Sequence, residues 1–314
     1  MAQRLTIAHS PCPNDTFAFH AWSHGLLPEA PGLAVTIADI DVTNGLAERG
    51  AGDLLKISYA ALPYVLDEYA LLPCGGALGH GCGPLVLTRP GDGPAGPERL
   101  AGRSVAVPGV RSTAYLLFRL WAARAVPGGV GDIVVMPFHE IMPAVRDGAV
   151  DAGLVIHEAR FTYQQYGLHR LADMGEEWEA GSGRPIPLGA IVARRDLGEE
   201  QLRAVARAAA DSVRFARDNP SASRPYVLEH AQEMAPDVIE QHIGLYVNDY
   251  TAALGEDGYA AVRELLGRAA AEGLVPPVAP GALDFPGVGP SLSSRRHAPH
   301  QERRGGDGRS AGGR

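Results

Sequence analysis

Two stretches decide the fold: Leu85-Val86-Leu87-Thr88-Arg89-Pro90-Gly91-Asp92-Gly93-Pro94-Ala95-Gly96-Pro97, and Gly181-Ser182-Gly183-Arg184-Pro185-Ile186-Pro187-Leu188-Gly189-Ala190-Ile191-Val192-Ala193. Each joins a short apolar run of strand character to a Pro- and Gly-rich stretch that punctuates regular structure. Two such junctions frame an inserted segment. The expected organisation is a discontinuous first lobe, residues 1–88 plus 195–289, and a second lobe, residues 89–194, inserted into it. Ligand then falls in the cleft between the lobes, a common small-molecule position.

Outward from these junctions, strands and helices alternate. Leu5–His9 reads as a strand, and Asn14 or Asp15 caps a helix through Trp22 that stops at Gly25. Leu33–Ile40 is a strand, and Thr43 is placed to cap the following helix. Leu54–Ser58, Tyr69–Pro73 and Arg103–Val107 are further strands, the last entering a helix from Ser112 to Ala125. Ile133–Met136, helix Glu140–Arg146 and strand Ala152–Ile156 complete another unit, Leu188–Ala193 is a strand again, and helical periodicity runs on to about Glu272. Repeated βαβ units predict an α/β fold of parallel sheets covered by helices.

Composition removes several classes. With 46% hydrophobic residues in 314, the chain can bury a sizeable core, and that apolar fraction is compatible with a homodimer. Residues 290–314 carry six Arg against Glu302 and Asp307, so the net charge of −8 divides into +4 on this tail and −12 on residues 1–289. An acidic body speaks against a nucleic-acid partner, and the apolar-poor tail is expected to be disordered. No apolar run reaches the eighteen or so residues of a membrane span. Met1–Ser10 lacks a signal-peptide core, and three cysteines are too few for a disulfide framework, so a reduced, cytoplasmic setting is expected.

In α/β sheets ligands meet the carboxyl ends of strands, and three strand ends here are polar. Lys56-Ile57-Ser58 ends one apolar strand, and Lys56 is the single lysine among 28 basic residues. Val105-Ala106-Val107-Pro108-Gly109 leads into Ser112-Thr113-Ala114, a helix start whose free N–H groups suit a carboxylate. Gly153-Leu154-Val155-Ile156-His157-Glu158 delivers an imidazole that titrates near neutrality, suited to a general base, with Glu158 or a backbone carbonyl as its orienting partner. Other groups carry less weight. His20 and His24 have a zinc-ligand spacing but no Glu after His20, and Cys74, His80 and Cys82 lack the spacing of a structural zinc site. No nucleophile elbow or dinucleotide fingerprint is present. Ser10-Pro11-Cys12-Pro13-Asn14-Asp15 is an unusually rigid turn before a helix.

Ser10-Pro11-Cys12-Pro13-Asn14-Asp15-Thr16-Phe17, Lys56-Ile57-Ser58-Tyr59, Gly75-Gly76-Ala77-Leu78-Gly79, Val105-Ala106-Val107-Pro108-Gly109, Ser112-Thr113-Ala114, His157-Glu158-Ala159-Arg160-Phe161-Thr162-Tyr163 and Pro187-Leu188-Gly189-Ala190-Ile191 together resemble the 1,4-dihydroxy-6-naphthoate synthase family of the futalosine route to menaquinone. The resemblance runs in order from about residue 4 to 285. It implies a two-lobed fold of the type 2 periplasmic-binding-protein class and a carbon–carbon lyase without metal or redox cofactor. The implied substrate, a small-molecule carboxylate, is cyclic dehypoxanthine futalosine; the products are 1,4-dihydroxy-6-naphthoate and dihydroxyacetone. The family's base maps onto His157, and its substrate contacts map onto Lys56, Ile57, Ser58, Thr113 and Ala114, with Ser112 where many members carry Thr. Two other readings fit the same architecture: a non-catalytic solute-binding protein, and the sibling enzyme chorismate dehydratase.

Overall fold

The computed structural model describes residues 4–91, 96–231 and 235–286; the basic tail 290–314 lies outside them. The chain opens with β1 (Leu5–His9), α1 (Pro13–Ser23), β2 (Leu33–Ile37), α2 (Ile40–Glu48), β3 (Leu54–Ser58), β4 (Tyr69–Leu71) and β5 (Ala77–Gly79). It continues through β6 (Leu85–Thr88), β7 (Val105–Val107), α3 (Thr113–Ala125), β8 (Ile133–Val135), α4 (Phe138–Arg146), β9 (Ala152–Val155), α5 (Ala159–Thr162), β10 (His169–Asp173) and α6 (Met174–Ser182). It closes with β11 (Ile186–Arg194), α7 (Glu199–Asp218), α8 (Arg224–His230), α9 (Pro236–Tyr246), α10 (Asp249–Ala252) and α11 (Gly255–Ala271). No described helix is long and apolar enough to cross a membrane.

Two sheets form. One runs β2-β1-β3-β11-β4, with β5 also on β11; the other runs β10-β6-β9-β7-β8. The expected βαβ units give parallel pairs, β1 with β2 and β3, and β7 with β8 and β9. The junction strands differ from expectation. β6, placed by sequence in the first lobe, pairs with β9 and β10 in the second sheet, and β11 pairs with β3, β4 and β5 in the first. A Pro- and Gly-rich stretch marks a strand's end, but hydrogen-bonding partners decide which sheet receives the strand. β6 and β11 also run antiparallel to their neighbours, because a strand entering from the other lobe has no crossover helix to set its direction.

β3 is buried along its whole length, so its sequence reads as an apolar run interrupted by one lysine. Alternation puts Leu55 and Ile57 into the core cluster under the first sheet, and turns Lys56 and Ser58 the other way. Thr43 sits inside α2, bonded to the Ile40 carbonyl, and Asp39 takes the N-cap position. α1 packs against α7, α8 and α9, which buries every residue from Pro13 to Trp22. Asn14, Asp15 and Thr16 are therefore inside the protein, where each polar group needs a partner.

Candidate active site

Those partners build the first wall of the cleft. Pro11 and Pro13 fix the turn from β1 into α1. Asp15 then accepts from Ser10 Oγ at 2.7 Å, Asn14 Nδ2 at 2.9 Å and Lys56 Nζ at 2.8 Å. Burial alone raises the Asp15 carboxyl, but the Lys56 ammonium, His9 and the Ser10 hydroxyl hold it below the ordinary carboxylate range. Lys56 also donates to the Gly75 carbonyl at 3.2 Å. The side chains of Lys56 and Asp15 are only 5% and 4% exposed, so the lysine turns inward and is neutralised there. Its third ammonium proton has no partner among the described residues. Ser58 is clamped by Asn44, whose Oδ1 accepts from the Ser58 N–H at 2.8 Å and whose Nδ2 donates to its Oγ at 3.1 Å. The Ser58 hydroxyl proton stays available.

The second wall begins at α3. Ser112 is its N-cap, accepting from the Tyr115 N–H at 3.1 Å and donating to the Gly109 carbonyl at 2.8 Å. Thr113 Oγ1 donates to the Leu188 carbonyl at 2.7 Å and accepts from the Ala60 N–H at 3.2 Å, which stitches α3 to the first lobe. With that hydroxyl proton committed, the first-turn N–H groups of Thr113 and Ala114, which lack intrahelical partners, are what remains for an anion.

His157 follows β9 in a left-handed conformation, φ 53°, the one positive φ among the described non-glycine residues. Such a backbone costs roughly 1–3 kcal/mol and persists only where its surroundings over-determine it. Nδ1 lies 3.1 Å from Cys12 Sγ, the Phe138 ring meets the imidazole edge-on at 5.3 Å, and the His242 ring stacks at 6.4 Å. Cys12, rather than Glu158 or a backbone carbonyl, is thus the hydrogen-bonding neighbour of Nδ1 among the described residues. Desolvation lowers the His157 pKa to about 4, with Asp15 opposing and Lys56 reinforcing the shift. The ring is neutral at physiological pH, and Nε2 has no partner among the described residues.

A second histidine enters from α9. His242 Nε2 lies 2.9 Å from Asn14 Oδ1. Because Asn14 turns its amide nitrogen to the Asp15 carboxylate, its oxygen faces His242, and Nε2 must donate. The lone pair is therefore on Nδ1, which is buried without a partner among the described residues. Burial, then the neighbouring His157, lowers this ring to about 3.

These groups converge on an open cleft of about 660 Å³. Of the sequence-selected residues, Lys56, Ser58, Ser112, Thr113, Ala114 and His157 line it. Ile57 does not, because strand alternation sends its side chain to the core. Sequence reading missed Asp15, His242 and Tyr246, which also line the cleft. The rigid Ser10–Asp15 turn was the one local signal for Asp15; His242 and Tyr246 had none, being ordinary positions of a helix.

Cys12, His157 and Glu158 each offer a donor atom within 4.8 Å of the others, a set that could hold a metal ion. A cation there would have to displace a thiol proton that burial and the Glu158 carboxylate hold well above the usual cysteine range. His20 and His24 pack against each other at a tilt, and both rings pack against Tyr226, His24 edge-on. Cys74 bonds the Ala206 carbonyl while His80 pairs with Glu179, so these positions do not form a cluster.

Two α/β lobes, two crossings and a polar cleft define the class of two-lobed proteins with the periplasmic-binding-protein fold. The alkanesulfonate-binding protein of Xanthomonas axonopodis pv. citri, solved bound to MOPS, superposes with TM-score 0.66 at 15% identity, over 87% of this chain and 94% of that one. Within this class the chain belongs to the menaquinone-biosynthesis family, whose profile matches residues 5–271. It is 72% identical over 91% of its length to the 1,4-dihydroxy-6-naphthoate synthase of Streptomyces coelicolor, covering 99% of that protein. It is 44% identical over 88% of its length to the enzyme of the same name from Thermus thermophilus, covering 97% of it.

Proposed function

We propose that this protein is a cytoplasmic carbon–carbon lyase of menaquinone biosynthesis that converts cyclic dehypoxanthine futalosine to 1,4-dihydroxy-6-naphthoate and dihydroxyacetone. The observation that carries the reading is His157, a neutral imidazole with Nε2 unpartnered, placed on a cleft wall of a chain 72% identical to a synthase of that name. A binding protein needs no neutral imidazole with a free nitrogen in its cleft; a proton-abstracting enzyme does.

In this reading Nε2 removes a proton from the bound substrate, and elimination of the ribose-derived fragment aromatises the second ring. The substrate carboxylate sits at the start of α3, on the N–H groups of Thr113 and Ala114. The Ser58 hydroxyl and the third Lys56 proton donate to substrate oxygens where negative charge develops. Asp15 fixes that lysine by an ion pair at 2.8 Å.

Purified protein incubated with the cyclic futalosine derivative should release the naphthoate, read by its absorbance, and leave chorismate unchanged. Turnover of chorismate would assign the protein to the sibling dehydratase. Binding of either compound without turnover would make it a solute-binding protein.

A further inference from the structure

The turn Ser10–Asp15 contains one side chain the chemistry above does not use. Cys12 occupies the N-cap position of α1, yet its side chain makes no capping bond, and cysteine is not among the residues favoured there. Its sulfur instead reaches His157, a contact between residues 145 apart in sequence. We propose that Cys12 is the positioning residue of His157: its sulfur accepts a hydrogen bond from Nδ1–H, which fixes the tautomer whose Nε2 lone pair is the base.

The geometry favours a fixed partner. Cys12 is flanked by prolines, its N–H donates to Ser10 Oγ at 3.3 Å, and its carbonyl accepts from the N–H groups of Asp15 at 3.0 Å and Thr16 at 3.1 Å. The sulfur is therefore anchored to the first lobe, while the imidazole it meets ends a strand of the second sheet. The arrangement of lobes seen here brings the two together, so orientation of the base is tied to docking of the lobes. The backbone at φ 53° does not by itself define the ring's direction; Cys12 at one nitrogen and Phe138 at the ring edge do.

A Cys–His contact also suggests a nucleophilic dyad, which the surroundings disfavour. Burial and the carboxylates of Glu158, Asp15 and Asp39 keep the thiol protonated, and burial keeps the imidazole neutral. A thiolate–imidazolium pair is the wrong charge state for this site. A neutral thiol retains sulfur lone pairs, which are weak acceptors but sufficient to choose between two tautomers of similar energy.

This inference rests on His157 being the base, and the experiment separates the two. The full-length protein and its Cys12→Ala, Cys12→Ser and His157→Asn variants are compared for kcat and KM with the cyclic futalosine substrate. Imidazole 15N shifts, which distinguish Nδ1–H from Nε2–H, are recorded on the unmodified protein and Cys12→Ala. The expected result is Nδ1–H at His157 in the unmodified protein and loss of that preference in Cys12→Ala. Its kcat should fall roughly 10–100-fold, the scale of a misoriented catalytic group, with KM within about threefold, a transition-state loss rather than a binding loss. Cys12→Ser, whose oxygen can accept the same bond, should recover most of the activity. An Nε2–H tautomer in the unmodified protein overturns the proposal even if the alanine variant fails to fold. So does unchanged kcat in Cys12→Ala, or a serine variant as impaired as the alanine one. If His157→Asn is inactive while Cys12→Ala is unaffected, the positioning role alone fails; if His157→Asn keeps normal turnover, the base assignment fails with it.

Discussion

The two walls of the cleft are built on opposite principles. On the first-lobe side, Ser10, Asn14 and Lys56 all bond to Asp15, Asn44 clamps Ser58, and the charges of Lys56 and Asp15 cancel in a buried pair. On the second-lobe side, His157 has a strained backbone and one ring nitrogen without a partner among the described residues. The first wall is chiefly a framework, with the Ser58 hydroxyl, the third Lys56 proton and His242 Nδ1 as its free groups, and the second holds the nitrogen to which a substrate proton can go. The difference teaches that the most charged residues of a site need not be its reactive ones. Lys56 draws attention as the single lysine of the sequence, yet most of its hydrogen-bonding capacity is spent on Asp15 and Gly75.

The largest expected effect breaks the reactive wall. His157→Asn should lower kcat by about 10²–10⁴-fold, the usual contribution of a positioned base, while the thermal midpoint holds or rises as backbone strain is relieved, since Asn tolerates a left-handed φ. Normal turnover by this variant would remove His157 from the mechanism. The framework wall should fail differently. Lys56→Ala strands a buried carboxylate and should cost about 3–5 kcal/mol of stability in denaturant titration, whereas Lys56→Met with Asp15→Leu should recover much of it. A single variant as stable as the parent would show that the pair is not the framework described here.

Acid should distinguish the walls next. The folded-state pKa values of His157, about 4, and His242, about 3, lie below the unfolded value of about 6.5. The unfolded chain therefore binds more protons in that window, and stability should be complete above about pH 6.5 and decline as pH falls toward 4. The depressed Asp15 carboxyl acts at lower pH in the same direction. Thermal melts at stepped pH read this, and a His242→Gln variant should lose less stability between pH 6.5 and 4. A smaller effect is expected at the α3 start, where Ser112→Ala removes the N-cap and should cost about 1 kcal/mol, with a modest rise in KM if the freed first-turn N–H groups lose their aim. Least of all, prolonged chelation should leave turnover unchanged; loss of activity restored by a divalent cation would instead make the Cys12, His157 and Glu158 set a functional metal site.

Much of this was legible in the chain itself. Apolar runs ended by polar residues located β3, β7 with the α3 start, and β9, and with them Lys56, Ser58, Thr113 and His157. Strand period two could also have excluded Ile57, since its neighbours on either side face the cleft. The sheet membership of β6 and β11 was misread because a breaker is a local signal and strand pairing is not. Cys12, Asp15 and His242 escaped for the same reason. Asp15 reads as a helix-capping carboxylate until Lys56 is brought 2.8 Å away, and His242 reads as a helix residue until Asn14 meets it.

The sequence alone determined the α/β alternation, the family, and the identity of the histidine at the end of β9. Those features are written in local periodicity and short motifs, which depend on neighbours along the chain. The tertiary structure alone decided which nitrogen of His157 is held, that Lys56 faces a carboxylate rather than solvent, and which tautomer His242 adopts. Each of these is set by a hydrogen bond between residues far apart in sequence, made in a buried setting where an unpaired polar group is costly enough to leave few alternatives.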